Sequence, residues 1–68
     1  MTPQEQQSLY ELAGETYALL SDLEQASNGI LMKASVPEKD LTIMQTFIPK
    51  IHAAQADMIN FRLFLKPA

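Results

Sequence analysis

Apolar residues recur along this chain at spacings of three and four. In the first half, Leu9, Leu12, Thr16, Leu19, Leu23, Ala26 and Ile30 form one stripe, close to a complete heptad seam. Beside it runs a second stripe, Tyr10, Ala13, Tyr17, Leu20, Glu24, Ser27 and Leu31, which is apolar at its start and at its end. In the second half, Met44, Phe47, Ile51, Ala54, Met58, Phe61 and Leu65 hold the same spacing, flanked by Leu41, Ile48, Gln55 and Arg62. Residues spaced this way share one face of an α-helix, so the pattern predicts two long amphipathic helices and an all-α fold.

Start and stop signals set the ends. Thr2-Pro3-Gln4-Glu5 has the form of a capping box. The Thr2 hydroxyl accepts from the amide of Glu5, the Glu5 carboxylate accepts from the amide of Thr2, and Pro3 takes the first helical position, where its missing N–H costs nothing. Ser35-Val36-Pro37-Glu38 repeats the form and opens a second helix, closed by Lys66 and Pro67. Helix one is expected over about residues 3–33 and helix two over about 36–65. Asn28-Gly29 is a stop signal inside helix one, but Ile30 and Leu31 keep the rhythm beyond it, so the helix is read through and weakened there. Pro49 lies inside helix two, where it removes a hydrogen bond and crowds the carbonyl of Gln45. The rhythm stays in phase across it, which favours a kink over a break into two helices. Two helices of similar length with a short connection form an antiparallel hairpin, one domain over residues 1–68.

One seam per helix holds a hairpin together, and this chain carries more than one. Ile43, Ile59, Leu63 and Phe64 lie off the main seam of helix two. With no Cys there is no disulfide to reinforce so small a core. Association is the remaining route, and the pattern predicts a homodimer in which two hairpins form a four-helix bundle. Leu20, Ile48, Phe61 and Leu63 are the candidate dimer-interface residues. Tyr10 and Tyr17, seven apart on one face, and Phe64 at the bundle end serve either that interface or a surface for another protein.

Charge adds a second feature. Residues 1–32 hold Glu5, Glu11, Glu15, Asp22 and Glu24 and no Lys or Arg, whereas residues 33–68 carry a small positive excess. Glu11, Glu15 and Asp22 follow one ridge opposite the second stripe of helix one, facing solvent. Such a ridge keeps a protein soluble. It also suits docking to a basic surface, because carboxylates spaced along a helix match a site built for phosphates.

The remaining composition excludes more than it suggests. The net charge of −3 argues against direct nucleic-acid binding. The polar, acidic N-terminus is the reverse of a signal peptide, and no apolar run approaches a membrane span, so a cytoplasmic protein without membrane contact is expected. His52 is the only histidine, its helical neighbours are Ile48, Pro49, Gln55 and Ala56, and it is expected at the surface or at its boundary with the core. No nucleophile with a base, no Glu-x-x-His pair and no glycine-rich phosphate loop occurs. No enzyme activity, cofactor or metal is expected.

The function these residues suggest is that of a small interaction module that binds and modulates a larger protein, such as a transcriptional regulator, with inhibition the expected mode. Glu11, Glu15, Asp22, Tyr10, Tyr17 and Phe64 are the candidate partner-binding residues. In size and general build alone, the chain resembles small phage- or plasmid-encoded modulators of host regulators. The alternative is a chaperone-like or structural hairpin subunit of a larger assembly such as a secretion machine, guarding an apolar helix of its partner.

Overall fold

The computed structural model describes residues 1–33 and 35–66. It contains two helices, α1 (Pro3–Leu31) and α2 (Glu38–Leu65), packed against each other as an all-α hairpin. The molecule is a rod of 51 × 15 × 14 Å. No helix among the described residues is long and apolar enough to cross a membrane.

The start of α1 forms as its sequence dictates. The Glu5 amide donates to Thr2 Oγ1 at 3.1 Å, and the Thr2 amide donates to Glu5 Oε1 at 2.9 Å. The backbone bond from Thr2 holds the Glu5 carboxyl below its ordinary pKa, followed by the Thr2 hydroxyl. The helix then runs through Gly29, with no residue at positive φ, and ends at Leu31 rather than near Lys33.

The start of α2 differs from the expectation of a Ser35 cap. The cap position is Pro37, with no side-chain hydrogen bond, and the helix begins at Glu38. The cause is local: a proline disfavours the helical region for the residue before it, so Val36 is kept out of the helix, and Pro37 itself has extended backbone with ψ of 142°. From Glu38 the helix continues through Pro49 to Leu65.

The hairpin seam selects one stripe of each helix. On α1 the inward residues are the second stripe: Ala13 and Ser27 are buried, and Tyr10, Leu20, Glu24 and Leu31 are half-buried. On α2 the single seam read from the sequence divides. Met44, Ile51, Met58 and Leu65 turn inward, and Leu65 is 1% exposed. Their inward companions are Ile48, Gln55 and Arg62, while Phe47 and Phe61 lie exposed on the flank. The division follows from helix geometry. A seam spaced four-three and a seam spaced three-four share every seventh residue and differ in the ones between. The polar groups on α1 decide between them. Among the described residues only Ala13, Ile51 and Leu65 form a buried apolar core.

Candidate interaction surfaces

Polar side chains fix the seam from end to end. Gln6 Nε2 donates to the Leu65 carbonyl at 2.7 Å and satisfies one of the free carbonyls at the end of α2. Arg62 lies over the Tyr10 ring, with its guanidinium carbon 4.1 Å from the ring centre, and its Nε donates to the Tyr10 carbonyl at 3.3 Å. Gly14 leaves space for that guanidinium, since a Cβ there would stand 3.1 Å from the Arg62 guanidinium carbon. Further along, His52 Nε2 donates to Glu24 Oε1 at 2.9 Å. The bond from His52 draws the Glu24 pKa below its ordinary value, assisted by Gln55 and opposed by partial burial. These partners bring Gln55 and Arg62 inward and so turn Phe47 and Phe61 outward.

Two faces result. The first holds the near-complete heptad seam of α1. Leu9, Leu12, Leu19 and Leu23 are all exposed, with Leu19 at 68%. The groove beside it joins Leu20 and Leu23 to Ile43, Phe47, Ile51 and Ala54. Phe61 and Phe64 extend this face along α2, by register, and both are exposed, Phe64 at 82%. On α1 the more apolar of the two stripes is thus the one the hairpin leaves largely uncovered.

The second face carries the tyrosines. Tyr10 and Tyr17 line a shallow recess with Ile59, Arg62, Leu63 and Lys66. On the outer side of α1, bordering the leucine seam, Glu11, Glu15 and Asp22 are exposed, and Gln7 Nε2 donates to Glu11 Oε1 at 3.1 Å.

The residues singled out from the sequence therefore fall into separate places. Tyr10, Tyr17 and Leu63 come together in the recess. Glu11, Glu15 and Asp22 form the outer ridge. Phe61 and Phe64 lie on the opposite, leucine-rich face. Leu20 and Ile48 are half-buried on the hairpin seam itself. The Glu24–His52 pair was missed because its two halves sit on different helices, and neither helix alone signals it. The hint available was the polar Glu24 within an otherwise inward stripe.

Among the described residues no group of three His, Cys, Asp or Glu side chains is arranged to hold a metal. Comparison with protein-family models, curated proteins and solved structures yields no match.

Proposed function

We propose that the chain is a non-enzymatic, cytoplasmic interaction module, a homodimer of hairpins that binds and inhibits a larger protein such as a transcriptional regulator. The observation that carries this reading is the outward heptad seam: Leu9, Leu12, Leu19 and Leu23 are exposed while, among the described residues, only three apolar ones are buried. Exposed apolar area of this extent marks surfaces that meet other proteins. The larger partner is assigned to the acidic ridge, because Glu11, Glu15 and Asp22 lie together on a side with no basic residue of α1 to neutralise them. A basic, phosphate-reading surface is its complement. The second helix is bent at Pro49 in this reading. Pro49 has no N–H for the Gln45 carbonyl, and just upstream Thr46 Oγ1 donates to the Thr42 carbonyl at 2.9 Å and Thr42 Oγ1 to that of Glu38 at 3.0 Å, side-chain bonds of the kind that bend helices.

The test is capture of a DNA-binding domain by the full chain at low and high ionic strength. Capture is expected to weaken steeply with salt and to vanish when Glu11, Glu15 and Asp22 are replaced by Gln, Gln and Asn. Undiminished capture by that triple variant overturns the reading.

The alternative role, a chaperone-like or structural subunit, is favoured by the recess of Tyr10, Tyr17, Ile59 and Leu63. Its apolar walls suit a partner helix. Binding there would be nearly insensitive to salt.

A further inference from the structure

We infer that the outward face is the contact of a two-fold dimer in which α2 lies antiparallel against α2 of a second copy, with the axis beside Ala54. The inference deepens the dimer in the reading above and assigns it a surface and a register.

The order of side chains on α2 is self-complementary about this point. Its outward face presents Phe47, Ala54 and Phe61 on one ridge and Ile43, Lys50, Asp57 and Phe64 on the next. Reversing the helix about its middle exchanges Phe47 with Phe61, Ile43 with Phe64 and Lys50 with Asp57. A two-fold interface requires this, since residue i meets j and j meets i. Each Lys50 then faces Asp57 of the second copy, giving two ion pairs. A parallel arrangement would oppose Lys50 to Lys50 and Asp57 to Asp57. At the centre, Ala54 is small enough to let the two backbones approach.

The first helix agrees. Leu9, Leu12, Thr16, Leu19, Leu23, Ala26 and Ile30 are centred on Leu19. The groove that Leu20 and Leu23 share with Ile51 and Ala54 sets that centre level with Ala54. One axis therefore serves both helices and places α1 against α1, also antiparallel.

The area fits as well. The chain exposes 5228 Å². A compact monomer of its mass would expose about 4,300 Å². The surplus is about 900 Å², close to the roughly 800 Å² that each partner of a stable complex buries. Between Phe47 and Phe61 the outward ridges of α2 carry one Lys and one Asp, which match a second copy of this stretch. The acidic ridge borders the leucine seam on the outer side of α1, with Glu15 and Asp22 each one turn from Leu19, so it rims the dimer contact.

The chain has no cysteine, so a single introduced thiol reports geometry directly. Under mild oxidation, Ala54→Cys is expected to give a disulfide-linked dimer, whereas Ala18→Cys, on the outer side of α1, is not. Sedimentation of the unmodified chain is expected to give twice the 7.6 kDa of one copy. Lys50→Asp should weaken association several-fold, and adding Asp57→Lys should restore it, with helicity followed throughout by circular dichroism. A helical monomer at tens of micromolar overturns the inference. So does a dimer that links through Ala18→Cys but not Ala54→Cys, or a charge reversal that neither weakens nor rescues. The ridge variant of the preceding section separates the two claims. If it stays dimeric but captures the domain undiminished, only the ridge assignment fails. If capture depends on the ridge while the chain is monomeric, only the present inference fails.

Discussion

At the scale of single residues, the seam is held by polar contacts that an apolar core would not need. Glu24 shows the consequence. Its pKa is lowered in the folded state, chiefly by the bond from His52. A carboxylate depressed on folding contributes stability above its unfolded pKa and loses it as pH falls through the folded one. Glu24 is 27% exposed and His52 56%, so solvent screens the pair and the effect is modest. The expected outcome is a fall in the unfolding midpoint as pH drops below about 4.5, the ordinary carboxylate value. Denaturant titrations across that range should show a shallower fall in Glu24→Gln. An unchanged acid slope would place the sensitivity elsewhere. Arg62 makes a related point about legibility. From the sequence it is a charge flanking an apolar seam, a position that favours solvent. Tyr10 and Gly14, on the other helix, give its guanidinium a ring to cover and a gap to occupy. Which residues face each other across two helices is set by register, and register is not written in either helix alone.

At the scale of elements, the helices were legible almost throughout, because capping and periodicity are local. The Thr2–Glu5 box forms as written, and the stop signal at Asn28-Gly29 is overridden. Gly29 has helical backbone here, and a Cβ added to it would meet nothing within 4 Å. Its only role in the folded state is then to weaken the helix. Gly29→Ala is expected to stabilise the hairpin by about 0.5–1 kcal/mol. Thermal unfolding reads this directly, and a destabilised variant would mean that the last turn of α1 needs glycine for another reason. The start of α2 was less legible. Ser35 and Glu38 have capping-box spacing, but Pro37 between them restricts Val36, and that steric effect outweighs the cap. The two motifs differ in where proline falls: beside the cap residue in Thr2-Pro3, it extends the helix start, and two places on, it delays it.

At the scale of the whole molecule, the sequence showed a surplus of apolar surface but not how it is divided. Both stripes of α1 are compatible with a hairpin, and the more apolar one would be the natural choice for its core. The hairpin instead takes the stripe with Glu24 and Ser27, and among the described apolar residues buries only Ala13, Ile51 and Leu65. So small a core accounts for little of the stability expected of a folded domain, and in the proposed dimer association is part of folding rather than a later step. Two measurements follow from this coupling. The thermal midpoint should rise with protein concentration, since a dimer is favoured by mass action and a self-sufficient hairpin is not. Leu19→Glu sharpens the contrast. Leu19 is 68% exposed in one copy, so in a hairpin that stands alone the change belongs to the surface class and shifts stability by about 0.5 kcal/mol or less. If Leu19 meets its counterpart at the centre of a dimer, the change removes a buried leucine and places a charge opposite its own copy, at a loss of about 2 kcal/mol or more. Denaturant unfolding of the two proteins at matched concentrations decides between these values. The larger loss, together with a midpoint that no longer depends on concentration, is the expected result.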